Sequence, residues 1–414
     1  MSVSIDTFGA NFVHYLGGVI KVLNKTVRAK ELCKGGTKKW EGSKLVKHVH
    51  VERSAAFNWT EDGGAIPPAK KQGYVEASAY RKFAYGSVGI TDGQLNNATT
   101  TKHAAIKVVD SELRGLMEGM ALFYNLFWTR DGTGVVTLLG ATTNGSTITV
   151  DDARAIWRKG TYTCLDASTP TTEHFNFECD SVARSYNNTL YSATVTPTAS
   201  VASGSQAADD LIVWGAGAYQ SYNKAITGLD AGIDDAATTF QGVDCATYTQ
   251  WTSPVLSNSG TRRDLTPALI RRMLSSLKQE GGQAKKTMSV LSTVWICEKF
   301  DEMYESAVRI TPDDTTVGQA TPTFQSSHGK VRIESDQHSP YGKMFFLEPS
   351  EITFAVQKEL HWRPVSNGGG GIFMRSDVSG KYTATCMEQS EIFYEARNRC
   401  GKIEDISETV GTAF

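Results

Sequence analysis

The stretch from Ile226 to Ser306 constrains the fold more tightly than any other, because it holds a helix whose two ends are both written in the residues. Thr266 stands where a hydroxyl can accept a bond from a free backbone N–H, and Pro267 follows at the first helical position, where no N–H is needed. Leu269, Ile270, Met273, Leu274 and Leu277 then recur with helical spacing, and Arg271, Arg272, Lys278 and Glu280 fall off that stripe. Gly281-Gly282 supplies a left-handed stop. A strand is expected from Thr287 to Leu291, then a second helix from about Ser292 with Ile296, Phe300, Met303, Tyr304 and Ala307 on one face. This is a helix-strand-helix unit with a core and no catalytic group.

Composition narrows what surrounds it. The 414 residues suffice for two or three domain-sized units with full cores and no need of disulfides. No window approaches the apolar length of a membrane span. The start lacks the basic region and unbroken apolar run of a signal peptide. The seven cysteines are scattered, odd in number and never spaced C-x-x-C, which fits reduced thiols in a cytoplasm. Net charge is only −2, but between Lys21 and Arg53 ten Lys or Arg stand against Glu31, Glu41 and Glu52. Such a segment is a solvated arm, or one that lies on an acidic partner surface or nucleic acid.

Residues 1–44 read as an extended arm with Gly17-Gly18 and Gly35-Gly36 as breakers. Strict alternation from Leu45 to Val51 then puts Leu45, Lys47, Val49 and Val51 on one strand face, and Val46, His48 and His50 on the other. Gly73 to Ile90 reads as a second strand run, and Gly63-Gly64 with Pro67-Pro68 forbid regular pairing between the two. The result is a long two-stranded arm with an irregular tip. Because an isolated hairpin is marginally stable in water, this one is expected to lie on another surface, a neighbouring subunit being the natural candidate. Asn96 to about Trp128 reads as helix, with a joint near Asp110 and a stripe of Leu113, Leu116, Met117, Met120, Phe123, Tyr124 and Phe127. Residues 145–225 read as short strands, including Ile148–Val150, Thr161–Leu165 and Leu190–Val195, with the Ser-, Thr- and Ala-rich stretch from Ser192 to Asp210 a surface loop between strands. Further strands are expected at Val331–Ser335, Phe345–Leu347, Ile352–Val356, Tyr382–Met387 and Ile392–Arg397.

No set of residues converges on a reaction. The Gly-Lys pairs lack the earlier glycine of a phosphate loop, and neither a G-x-S-x-G elbow nor H-E-x-x-H occurs. His48 and His50 share a strand face without an indicated third ligand, and Cys164, His174 and Cys179 are loosely spaced. Paired acids such as Asp151-Asp152 and Asp209-Asp210 sit where turns and helix starts want them. No catalytic, cofactor-binding or metal-binding residue is assigned. A chain of this length without a reactive set is read as acting through its surfaces.

The order of elements resembles the major capsid proteins of tailed bacteriophages, with their Hong Kong 97-like fold. The local wording is similar at Ile226-Thr-Gly-Leu-Asp-Ala-Gly-Ile-Asp234, Phe240-Gln-Gly-Val-Asp244, Trp251, Pro254-Val-Leu256, Leu265 to Gly282 and Tyr394-Glu-Ala-Arg397. The resemblance implies an α+β chain: an N-terminal arm (1–44), a β-hairpin extended loop (45–95), and a peripheral domain (96–232 and 345–414) built on a spine helix (96–128). A strand-rich insertion (145–225) and an axial domain (233–344) complete it. The chain departs from family members with a fused scaffolding segment, since only some 40 residues precede the hairpin. Lys70 and Lys71 lie near the hairpin tip, but no asparagine partner for a subunit cross-link is matched.

The resemblance further implies a protein that assembles with itself into pentamers and hexamers and closes an icosahedral head around double-stranded DNA. Portal and scaffolding or decoration proteins are its implied partners, with assembly in the host cytoplasm, residence in the virion and no membrane contact. Candidate subunit contacts are Trp59, Ile66, Pro67, Pro68, Lys70 and Lys71 at the hairpin tip, and Arg262, Arg263, Arg271, Arg272 and Lys278 near a capsomer axis. The alternatives are an encapsulin-like compartment shell, a tail or baseplate protein, and a thiol-dependent hydrolase around Cys164 and His174.

Overall fold

The computed structural model describes residues 37–40, 42–91, 102–140, 145–184, 193–201, 206–281, 287–305, 323–363, 373–375 and 380–408. The chain enters as β1 (Thr37–Lys39), forms a hairpin from β2 (Lys44–Glu52) and β3 (Gly73–Tyr80), and after Arg81 continues as β4 (Lys82–Thr91). A 27-residue helix, α1 (Lys102–Trp128), follows. Six strands come next: β5 (Val135–Leu138), β6 (Ile148–Val150), β7 (Thr161–Leu165), β8 (Glu173–Arg184), β9 (Ala193–Pro197) and β10 (Leu211–Trp214). A small hairpin, β11 (Thr239–Phe240) with β12 (Val243–Asp244), leads to β13 (Val255–Leu256), α2 (Pro267–Gly281), β14 (Thr287–Ser292) and α3 (Val294–Glu305). The chain closes with β15 (Thr323–Ser326), β16 (Gly329–Ser335), β17 (Met344–Leu347), β18 (Ile352–Trp362), β19 (Phe373–Arg375), β20 (Lys381–Tyr394) and β21 (Gly401–Ile403).

Three layers of packing assemble these elements. In the first, β20 is the central strand, with β18 and β19 along one side, β4 along the other, and β1 on the far edge of β18. The apolar stripe of α1 lies on this sheet through Leu113, Met117, Met120 and Tyr124. It comes so close at Gly86 that a Cβ there would sit 2.8 Å from the Met120 sulfur and 3.0 Å from the Cys386 sulfur, so any side chain at this position must displace its neighbours. In the second layer, the strands run β5-β10-β7-β8-β9-β6, and a bridge between Leu139 and Val150 joins the two end strands and closes the ring into a barrel. Val136, Ile148, Tyr162, Cys164, Cys179, Val195 and Ile212 are buried in its walls.

The third layer is a sheet ordered β13-β21-β17-β14-β16-β15. Met288, Val290, Val331, Ile333, Met344, Phe346 and Ile403 on one face form a core with α2 and α3, while Leu291, Phe345 and Leu347 on the other join the core of the first two layers. The C-terminal end of α1 is bonded to this sheet: Asn125 Nδ2 donates to both carboxylate oxygens of Asp336, at 3.2 and 3.0 Å, and Thr129 Oγ1 to the His338 carbonyl at 3.0 Å.

The helix signalled by Thr266 and Pro267 is present, and Leu269 N–H donates to Thr266 Oγ1 at 3.3 Å. Thr266→Ala is expected to cost about 1 kcal/mol in chemical denaturation. Other expectations need correction. The run Gly73 to Ile90 is two strands, because at Arg81 the chain leaves β2 and takes β20 as its partner, so the free hairpin is shorter than the sequence implied. The helix runs through Asp110 without a joint. The strands expected at Tyr382–Met387 and Ile392–Arg397 are one, β20, which continues through buried Glu388, Gln389, Ser390 and Glu391. The expected arm is not extended to residue 44: β1 is a sheet strand and Trp40 is buried. The strand expected at Leu190–Val195 is β9, displaced to Ala193–Pro197 and built into the barrel, so the loop expected from Ser192 begins later. Residues 1–36, the tetraglycine at 368–371 and Ala307 lie outside the described residues.

Candidate assembly surfaces

The hairpin is anchored at its base. Its inner face, Leu45, Val49, Val75, Ala77 and Ala79, packs on Val243, Cys245, Trp251 and Phe393, the face predicted by the alternation in β2. Lys47 lies on the same face, pairs with Glu395, and holds its ammonium 5.2 Å from the Phe393 ring centroid. The turn between β11 and β12 locks this base. Gln241 and Gly242 have φ of 48° and 83°, the two positive values of a type I′ turn, and the turn lies against β3. The Gln241 carbonyl accepts from Ser78 N–H at 2.6 Å, while its side chain donates to the Ile392 carbonyl at 2.9 Å and accepts from Tyr394 N–H at 3.3 Å. One glutamine therefore joins the hairpin to β20. The only sequence signal for it was the Gln-Gly pair, which marks a turn but not its partner.

Beyond that base the chain is bare. Phe57, Trp59 and Ile66 are 80%, 100% and 90% exposed. Pro68, Lys70 and Lys71 are exposed as well, and Pro67 is half-buried. The tip keeps its shape through short-range bonds, Gly64 N–H to the Glu61 carbonyl at 2.8 Å and Ser54 Oγ to the Lys70 carbonyl at 2.9 Å. Fully burying one such large side chain stabilises a contact by about 1.5–3 kcal/mol. On the outer face of the hairpin His48 lies across from Glu76, and His50 packs on Tyr74 with ring centroids 5.1 Å apart. Among the described residues no His, Cys, Asp and Glu cluster is arranged to hold a metal.

The second group of candidate contacts divides. Arg271, Arg272 and Lys278 are exposed on α2. Arg262 is exposed over the Tyr341 ring, 4.0 Å from its centroid. Arg263 is committed inside the fold instead, donating to the carbonyls of Leu256 and Glu404 and so joining β13 to the end of β21.

Buried charges hold the frame behind these surfaces. Lys402, only 4% exposed, reaches Asp230, Asp234 and Glu404 at 3.1, 3.1 and 3.0 Å, and Lys343 adds contacts to Asp230 and Glu404 at 2.8 and 3.2 Å. Burial alone pulls the Lys402 ammonium down, but Asp230, Glu404 and Asp234 together hold it above the usual lysine range. Cys164 and His174 form no reactive pair. Burial pushes the Cys164 thiol up to about 12, and His174 lies 3.3 Å from Asp210, which also takes the backbone N–H groups of Ala167 and Ala207. A thiol this hard to ionise is no nucleophile near neutral pH.

Glu391 was not singled out by the sequence. Its Oε1 accepts from Thr227 N–H at 2.7 Å and from its own neighbour Ile392 N–H at 2.9 Å, and burial pushes the carboxyl from 4.5 up to about 7 against those bonds. A raised carboxyl favours the protonated fold. Its contribution is complete below about 4.5 and is lost as pH rises through about 7. Glu391→Gln keeps the accepting oxygen and is expected to remove a decline of about 3 kcal/mol across that window, read as denaturation midpoints against pH. An unchanged slope would show that another group titrates there.

The SU10 major capsid protein family model matches residues 192–387. The subunit in the Cyanophage A-1(L) capsid asymmetric unit superposes with a TM-score of 0.57 at 13% identity, over 92% of this chain and 93% of that one. The capsid of a native GTA particle gives 0.47 at 8% identity, over 92% and 91%, and the holo-SrpI encapsulin complex from Synechococcus elongatus 0.45 at 8%, over 94% and 92%. No curated protein matches. The α+β fold is the Hong Kong 97-like capsid fold.

Proposed function

We propose that this chain, a bacteriophage major capsid protein by its family match and its fold, assembles into pentamers and hexamers and closes an icosahedral head around double-stranded DNA. The observation that carries the assembly is the hairpin: a base fixed by Gln241, Lys47 and an apolar face, and a tip on which, among the described residues, Phe57, Trp59 and Ile66 are left exposed. A free monomer gains nothing from that exposure, whereas a neighbouring subunit buries it. The hairpin is then the extended loop and α1 the spine helix. The sheet centred on β20 belongs to the peripheral domain (96–232 and 345–414), joined there by β1 and β4 from earlier in the chain; the barrel is an insertion in it, and 233–344, with β17 and β21 completing its sheet, is the axial domain at the capsomer centre.

The geometry needed is a head-to-tail contact that closes by rotation, with each arm tying one ring member to the next. About 800 Å² per partner is enough for a stable pair, and many such contacts per subunit give the shell its strength. The basic run from Lys21 to Arg53, apart from Lys47, meets acidic subunit surface or the packaged DNA. Portal and scaffolding or decoration proteins complete the head, which is assembled in the host cytoplasm and resides in the virion. Sedimentation velocity of the purified chain tests the reading: species the size of rings and shells are expected, and a monomer that persists as concentration rises would overturn it.

A further inference from the structure

The two helices over the third sheet carry opposite charge. On α2 the exposed side chains include Arg271, Arg272 and Lys278, against Glu280. On α3 those described as exposed are Val294, Glu298 and Glu302, with Asp301 half-buried beside them. The one cation of α3, Lys299, is half-buried and pairs with the exposed Asp264 at 3.5 Å. Among the described residues, Arg271, Arg272, Lys278, Glu298, Asp301 and Glu302 have no partner of opposite charge. Both helices cover the same face of the sheet, but α2 lies against β21 and α3 against β16, with β17 and β14 between those strands. The basic helix is therefore toward one lateral side of the sheet and the acidic helix toward the other.

We propose that the basic face of α2 in one copy docks on the acidic face of α3 in the next, so that a single contact, repeated head to tail, closes each ring. The inference rests on the shell reading and deepens it by naming the partner surface. Two unlike faces on opposite sides of one layer make a heterologous contact, the kind that generates rings. Opposite charge sets the register, and like charge rejects a symmetric pairing of α2 with α2 or α3 with α3. Solvated ion pairs are screened, so ring formation should weaken as salt rises. Val294 supplies an apolar edge to the acidic face, being 43% exposed at the start of α3.

The test reverses each face. Arg271→Glu with Arg272→Glu and Lys278→Glu makes both faces acidic; Glu298→Lys with Glu302→Lys makes both basic. Each variant is expected to lower ring yield at low salt by about tenfold or more, with circular dichroism and melting unchanged because the altered side chains are exposed. All five changes in one chain restore unlike faces and should restore rings. An equal mixture of the two variants should form rings only by alternation. Even-membered rings are then allowed and five-membered rings frustrated, so hexamers should appear without closed shells. Should a reversal disturb the fold, Gln at the same positions tests the same pairing by flattening its salt dependence. Reversed variants that assemble like the parent, or a five-change chain that stays folded and unassembled, would overturn the pairing. A parent chain that forms no ring overturns the shell reading itself, and the pairing with it.

Discussion

Removal of Glu61–Gln72 is expected to leave a folded monomer that builds no shells. The deleted residues take part in no contact of the base, which lies among β2, β3, the β11–β12 turn and the end of β20. The bonds lost are local: Gly64 to Glu61, Ser54 to Lys70, and Tyr74 Oη to Gln72 Oε1 at 2.9 Å. Melting should therefore change little. Assembly should change greatly, because burial of Ile66 and its neighbours is worth about 3 kcal/mol per arm and the loss recurs at every contact in the shell. Normal particles from the shortened chain would show that the tip lies on no neighbour.

Lys402→Met is expected to act in the opposite way, on the fold before assembly. The ammonium is ringed by Asp230, Asp234 and Glu404 and also donates to the Asp230 carbonyl at 3.2 Å. Methionine fills the space of the stem but leaves partly buried carboxylates without their cation, and among the described residues Lys343 reaches Asp230 and Glu404 but not Asp234. Removing one partner of a buried pair costs about 3–5 kcal/mol. By contrast Arg158→Ala, which breaks a 3.8 Å pair with Asp180 between solvated side chains, should cost less than about 1 kcal/mol. Equal effects of the two substitutions in urea denaturation would remove the special place given to Lys402. The cluster joins the turn at Asp230 and Asp234 to the strands β17 and β21, so its loss should also loosen the layer that carries α2 and α3.

The parts of the fold that were legible in the sequence are those decided within a few residues. The cap at Thr266, the stripe of α2 and the alternation of β2 each state their own geometry, and each is observed. What was hidden is decided by distant partners. Nothing at Arg81 announces that β4 will leave the hairpin, since Tyr80 and Lys82 suit either pairing and the choice is made by β20. Glu388 to Glu391 reads as a break between two strands. It is continuous because Glu391 finds Thr227 N–H, and because Tyr124 Oη lies 3.4 Å from Ser390 Oγ. The barrel is likewise closed by Leu139 and Val150, whose pairing no local pattern predicts. The irregular, unpaired tip was legible because Gly63-Gly64 and Pro67-Pro68 exclude regular pairing. Gln241 was not, since its role depends on β3 and β20 at once.

Negative-stain electron microscopy of the purified full-length chain tests the central claim most directly. Closed icosahedral particles are predicted, with five- and six-membered capsomers visible on their surface and no particles from the chain lacking Glu61–Gln72. Open tubes, isolated rings that never close, or a field of monomers at concentrations where the parent chain is folded would contradict it.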